Sequence, residues 1–99
     1  MNLINENIHK IKDLCKKYKV KNLYVFGSIL TPRFNEKSDV DLLVNFYEEE
    51  IADPFINFFD LIYDLQDLLG RKVDLVDETF ITNQTFKENL LANRKLIYG

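Results

Sequence analysis

Apolar residues recur every three or four positions in three segments of the chain, which is the spacing of one face of an α-helix. We predict helices over residues 3–18, 54–69 and 83–97. The second helix has the clearest ends, because Asp53 suits its N-cap, Pro54 its first turn and Gly70 its C-terminal stop.

The predicted helices present apolar faces that differ in width. The face of the first helix comprises Ile4, Ile8, Ile11, Cys15 and Tyr18. The broad face of the second comprises Phe55, Phe58, Phe59, Ile62, Tyr63, Leu65, Leu68 and Leu69. The last helix is predicted to cover the core with Phe86, Leu90, Leu91 and Ile97.

Three short runs rich in β-forming residues lie between the helices, at residues 22–26, 40–46 and 71–76. The predicted order is therefore α-β-loop-β-α-β-α. Three strands are too few for a barrel or a sandwich, so the sheet must bury one face under helices. We predict an α+β fold, with a small mixed sheet of about three strands and helices on one face, in a single domain spanning residues 1–99.

Composition narrows the function classes. The chain has 99 residues, of which 46% are hydrophobic and 29% charged, and its three glycines and two prolines exclude a low-complexity protein. The net charge of −3 argues against strong, sequence-independent binding of nucleic acids. One cysteine and one histidine cannot make an intramolecular disulfide or a metal cluster of those residues. No apolar run is long enough for a membrane span and no signal peptide opens the chain, so we expect a cytoplasmic protein.

Two features carry candidate chemistry. Gly27 and Ser28 follow a predicted strand, where glycine permits close approach to a ligand and a hydroxyl with free amides can hold phosphate oxygens. Asp39 and Asp41 begin the next strand and point to one face, because side chains alternate along a strand. Taken singly, these features are also compatible with an ordinary turn and with two solvated acids.

A third carboxylate, Asp74, interrupts an otherwise apolar strand. If that strand lies beside residues 40–46, Asp74 can share a face with Asp39 and Asp41. Adjacent carboxylates repel unless a cation neutralises them, and oxygen ligands suit Mg²⁺. Three such groups can hold two ions, one for a triphosphate and one for an attacking hydroxyl, whose proton Asp74 could accept.

Jointly these residues resemble the nucleotidyltransferase superfamily of the DNA polymerase β type, in its smallest branch, the minimal nucleotidyltransferases or MNT domains. The resemblance covers nearly the whole chain. It implies that Gly27 and Ser28 bind the nucleotide triphosphate and that Asp39 and Asp41 bind metal. It further implies that Asp74 is the third catalytic and metal-binding carboxylate. The implied cofactors are Mg²⁺, as two ions, and ATP as the nucleotide donor.

The resemblance also implies a partner. MNT proteins are similar to antitoxins paired with a HEPN-domain ribonuclease toxin, and the family activity is transfer of AMP from ATP to a toxin tyrosine. The chain is too short for an acceptor-binding domain, so we expect the acceptor to be bound by a partner, by a second copy or by the shallow surface of the domain itself. A homodimer stays open, since Phe58 or Tyr63 could line an interface.

One departure from the family pattern keeps a second hypothesis open. Many members carry arginine shortly after the Gly-Ser pair, where this chain has Ile29 and Thr31. Other cations could take over the contact with the triphosphate; the candidates are Arg33, Lys37, Arg71 and Lys72. The alternative to catalysis is an inactive antitoxin that neutralises its partner by binding alone.

Overall fold

The computed structural model describes residues 2–99, so the first residue of the predicted domain 1–99 lies outside the described residues. The helices are α1 (Asn2–Glu6), α2 (Ile8–Lys17), α3 (Pro54–Leu69) and α4 (Gln84–Ala92). The strands are β1 (Val20–Phe26), β2 (Val40–Phe46), β3 (Val73–Asp77) and β4 (Lys95–Tyr98). Short 3-10 turns occupy Gly27–Leu30, Glu48–Glu50 and Glu78–Phe80.

The four strands form one mixed sheet in the order β3-β2-β1-β4. β1 is antiparallel to both of its neighbours, β2 and β4. β2 and β3 run parallel, and α3 supplies the crossover that a parallel pair requires. The α+β fold class is thus confirmed, with β2 and β3, the strands that carry the candidate carboxylates, lying side by side.

The predicted last helix over residues 83–97 is wrong at its C-terminal end. α4 stops at Ala92, where the backbone N–H of Asn93 donates to the carbonyls of Asn89 and Leu90 at 3.1 and 3.3 Å. The chain then forms β4, which pairs with β1, so the sheet has four strands rather than three. Of the four residues predicted to cover the core, Leu90 is buried and Ile97 packs against the core, whereas Phe86 and Leu91 are exposed.

The predicted first helix over residues 3–18 is divided into α1 and α2 at Asn7. The Asn7 side chain donates to the Leu3 carbonyl at 2.8 Å, and its backbone N–H bonds to the Ile4 carbonyl at 3.1 Å. These local bonds close α1 with a tight turn, because an asparagine side chain competes with the helical backbone for its partners. Ile4, Ile11, Cys15 and Tyr18 are nevertheless buried, so the predicted apolar stripe is correct apart from the half-buried Ile8.

The ends of α3 agree with the prediction. The Asp53 carboxylate accepts a hydrogen bond from the Ile56 amide at 3.1 Å, which satisfies a free donor of the first turn. Gly70 ends the helix in the left-handed conformation, at φ 67°. The apolar face of α3 is wider than the sheet can cover, because Phe55 and Tyr63 are 72% and 59% exposed.

The main core lies between α1, α2 and α3 and one face of the sheet. This face carries Leu23, Val25, Leu42, Val44 and Leu75, all buried. Side chains alternate along β2, so Asp41 and Leu43 point to the opposite face. Leu43 is fully buried on this opposite face. Tyr24 is the β1 partner of Leu43, and the Arg94 guanidinium stacks over the Tyr24 ring at 3.8 Å from its centroid. The second face is thus covered at its centre but leaves Asp41 partly accessible.

None of the helices within residues 2–99 combines the length and the apolar character needed to cross a lipid bilayer.

Candidate active site

Asp41 and Asp74 are direct neighbours across the parallel pair of strands. The register pairs Asp41 of β2 with Asp74 of β3, in a ladder where neighbouring strands lie about 4.8 Å apart. Paired residues of adjacent strands point to the same face, so the two carboxylates share the sheet face opposite the main core. The condition under which Asp74 can share a face with Asp41 is met, because β3 lies beside β2 and this pairing brings the two acids together.

Asp39 precedes β2 and lies at the edge of the same site. Its carboxylate is 3.9 Å from the Nζ of Lys72, which precedes β3, and both side chains are well exposed. An exposed pair at this distance adds little stability. It does place one of the four candidate cations, Lys72, beside the acids.

Gly27 brings the end of β1 against the Asp41 carboxylate. Phe26 is the β1 partner of Asp41, and Gly27 follows it with φ 77°, in the left-handed region that favours glycine. A Cβ atom built on Gly27 would overlap the Oδ2 of Asp41. Two independent features therefore favour glycine at this position. One is the backbone angle, and the other is the space that the Asp41 carboxylate occupies.

The turn after Gly27 is closed by Thr31, which occupies one of the two positions where the resemblance leads us to expect an arginine. Its hydroxyl donates to the Ser28 carbonyl at 2.7 Å, and its amide donates to the same oxygen at 2.9 Å. Ile29, the other replacement, is buried in the core. Both replacements thus stabilise the turn and leave the half-buried Ser28 at the site without an adjacent cation from this segment.

Arg71 holds the loop that leads into Asp39. Its Nη1 donates to the carbonyls of Asn35 and Ser38 at 2.9 and 3.0 Å, and its guanidinium stacks over Phe34 at 4.7 Å. The Val40 amide is bonded to the Lys72 carbonyl at 3.0 Å. The segment just before Asp39 is therefore tied to the segment just before Asp74. Arg71 was proposed above as a substitute contact for the triphosphate, and its side chain is already engaged by this loop.

We expect Arg71→Ala to loosen that loop. Losing two hydrogen bonds from a charged donor in a partly exposed position should lower the free energy of unfolding by about 1–2 kcal/mol. Amide hydrogen exchange of residues 33–38 should accelerate, while exchange in α3 stays unchanged. Arg33→Ala is the matched control, because Arg33 is an exposed arginine of the same loop. Equal acceleration in both variants would contradict the role assigned to Arg71.

The carboxylates of the candidate site repel one another. Burial raises the pKa of the Asp41 carboxyl, and the nearby Asp74 and Asp39 carboxylates raise it further. No three acidic, histidine or cysteine side chains within residues 2–99 are arranged to ligate one metal ion together. The donor set nevertheless fits a hard divalent cation, since it consists of carboxylate oxygens whose mutual repulsion such an ion would relieve.

This repulsion predicts a stability gain on removing one charge. The Asp41 pKa is raised in the folded state, so the folded chain holds this proton more tightly and loses stability as the pH rises through that pKa. In EDTA at pH 7, Asp41→Asn should therefore melt at a higher temperature than wild type. The difference should shrink as the pH falls towards the ordinary aspartate value. Adding Mg²⁺ should raise the melting temperature of wild type more than that of the variant. Equal melting temperatures in EDTA at both pH values would contradict the repulsion.

Comparison with known proteins places this geometry in a family. The family described as polymerase beta, nucleotidyltransferase, matches residues 9–99. The chain belongs to the polymerase beta nucleotidyltransferase family. The resemblance inferred from the Gly-Ser pair and the three aspartates is thereby confirmed, and the chain carries a nucleotidyltransferase domain. The assignment of roles to individual residues stays a prediction.

Relatives and solved structures place the chain in the minimal branch of that family. A candidate protein adenylyltransferase of Methanocaldococcus jannaschii is 43% identical over 96 residues, covering 96% of this chain and 93% of that protein. A toxin-antitoxin crystal structure with AMP-PNP superposes with a TM-score of 0.74 at 26% identity, covering 94% of this chain and 73% of its counterpart. A complex of a tri-AMPylated Shewanella oneidensis HEPN toxin with an MNT antitoxin gives a TM-score of 0.67 at 26% identity, covering 96% and 71%.

Proposed function

We propose that this nucleotidyltransferase transfers AMP from ATP to a tyrosine hydroxyl of a HEPN-type toxin and acts as the antitoxin of that pair. The observation that carries the proposal is the register of Asp41 beside Asp74, with Gly27 against the Asp41 carboxylate. Its relatives support the choice of AMP and acceptor: one is a candidate protein adenylyltransferase, and one solved neighbour contains an AMPylated HEPN toxin.

Residues of this chain would bind the triphosphate and accept the proton in the proposed reaction. The Ser28 hydroxyl and the backbone amides of the turn after Gly27 bind oxygens of the triphosphate. Asp74 accepts the proton of the attacking tyrosine hydroxyl. The tyrosine oxygen forms a bond to the α-phosphorus of ATP, the bond from that phosphorus to the bridging oxygen breaks, and pyrophosphate leaves. Holding the two reactants in line lowers the barrier by removing the entropy of their encounter.

Asp39, Asp41 and Asp74 are the residues that would hold Mg²⁺, as two ions. When bound, these ions neutralise charge on the phosphates and lower the pKa of the attacking hydroxyl. Lys72, at 3.9 Å from Asp39, would add positive charge at the same edge. It is the candidate cation that forms an ion pair with one of the three aspartates, in a chain without the family arginine at positions 29 and 31.

The proposal is tested by intact mass. The chain is incubated with ATP, Mg²⁺ and the purified cognate HEPN toxin, beside a reaction in EDTA. We expect the toxin to gain mass in whole AMP units and to lose its toxicity, with no gain in EDTA. A stable complex with no mass gain would instead favour the antitoxin that acts by binding alone.

A further inference from the structure

Six of the eight phenylalanines of the chain line one surface groove of about 800 Å³. They are Phe46, Phe55, Phe58, Phe59, Phe80 and Phe86, which together define the phenylalanine groove. Phe55 and Phe80 are 72% and 76% exposed, and Phe55 contacts Phe59 with ring centroids 4.8 Å apart. An exposed apolar surface of this kind in a small domain marks an interaction site.

The groove lies outside the candidate active site and beside it. Its floor includes Val76 and Asp77 at the end of β3, the strand that carries Asp74 near its start. Asp77 lies three positions after Asp74, a distance of about 10 Å along an extended strand. Leu75 and Asp77 point to the α3 side of the sheet and Asp74 points to the other side, so a protein seated in the groove would leave the carboxylates uncovered.

The negative charge at the rim of the groove indicates what kind of protein surface can bind there. Glu48 and Asp77 are the charged residues of the lining, and Glu49 and Glu50 continue the turn that Glu48 begins. Among residues 2–99, no lysine or arginine belongs to the lining. A second copy of this chain would bring one acidic rim against another, which is unfavourable. A protein with an apolar helical face flanked by lysine or arginine would be complementary both in hydrophobicity and in charge.

We propose that the phenylalanine groove docks a basic-flanked amphipathic helix of the HEPN toxin. This inference rests on the proposed function, because it takes the AMP acceptor as the partner. A ribonuclease must attract a polyanion, so it offers the lysines and arginines that the acidic rim of the groove would meet. Docking beside the edge strand β3 would hold the toxin on the chain and leave the acids, on the opposite face of the sheet, free to receive ATP and a tyrosine.

The test measures the affinity of the cognate HEPN toxin for surface variants of this chain by calorimetry. Phe55→Asp and Phe80→Asp should each weaken binding at least about 30-fold, the range of an interface hot spot. Glu48→Lys should weaken it and reduce its sensitivity to salt. Tyr63→Asp is the matched control, since Tyr63 is an aromatic residue of α3 that is 59% exposed and outside the groove. It should bind as wild type does.

The outcomes separate the groove from the transferase proposal. Binding by both phenylalanine variants as tightly as by wild type would overturn the groove and leave AMP transfer standing. Equal loss in Tyr63→Asp would also overturn it, as would a wild-type homodimer that Phe55→Asp dissociates. Binding that depends on the groove, without any AMP transfer, would contradict the transferase proposal and leave the docking proposal standing. If an aspartate variant does not fold, as judged by circular dichroism, Phe55→Ala and Phe80→Ala replace it, with a smaller expected loss of affinity.

Discussion

Asp41→Asn will abolish AMP transfer to the toxin while leaving the fold intact. Asparagine keeps the shape of the side chain but removes the charge that would hold Mg²⁺, and loss of one electrostatic contact of this type lowers the rate by about 100- to 1,000-fold. Asp41 also lies between Gly27 and Asp74, at the centre of the candidate site. The measurement is the initial rate of AMP incorporation, followed by intact mass.

The control for this variant is Asp67→Asn, which removes a carboxylate from the exposed side of α3. It should transfer AMP at the wild-type rate. Asp41→Asn is also expected to be more stable than wild type in EDTA, so an inactive yet more stable variant would exclude unfolding as the cause. Transfer within about tenfold of wild type would show that the site lies elsewhere.

Much of the site could be predicted because its signals are local in the sequence. The spacing of Asp39 and Asp41 places both on one side of the chain by strand alternation alone. Asp74 stands out as an acid within an apolar run. The Asp53 cap and the Gly70 stop define α3 from the chemistry of its ends. The helix between β2 and β3 is compatible with a parallel pair, because parallel strands need such a crossover. That the two strands are direct neighbours is known from the structure alone.

The features that the sequence did not predict depend on contacts between distant segments. β4 has only four residues and is held in the sheet by its pairing with β1, which is distant in the sequence. A local sequence pattern does not reveal such a pairing, so the pattern predicts a continuation of α4 instead. Arg71 reaches back 33 and 36 residues to the carbonyls it binds. Arg94 likewise pairs with Glu78 at 3.0 Å and stacks on Tyr24, a combination that no sequence pattern indicates.

Gly27→Ala will impair both stability and AMP transfer. The left-handed backbone angle of residue 27 disfavours any side chain by about 1–2 kcal/mol. The new methyl group would also displace the Asp41 carboxylate, which adds up to about 1 kcal/mol because this side chain can rotate away. The displaced carboxylate should reduce AMP transfer by about 100-fold, as expected when a reacting group moves by roughly an ångström. The measurements are denaturant unfolding and the initial rate of AMP incorporation.

Gly70→Ala is the matched control, because Gly70 has a similar angle, φ 67°, and nothing lies within 4 Å of a Cβ built there. It should lose the backbone contribution alone and keep its transfer rate. The collision can be isolated in the double variant Gly27→Ala/Asp41→Ala, in which the methyl group meets no carboxylate. Its free energy of unfolding should exceed the value obtained by adding the two single effects by about 0.5–3 kcal/mol, the range for residues in contact. Strict additivity would mean that Gly27 is required only for its backbone angle, and that the Asp41 carboxylate does not depend on the space beside it.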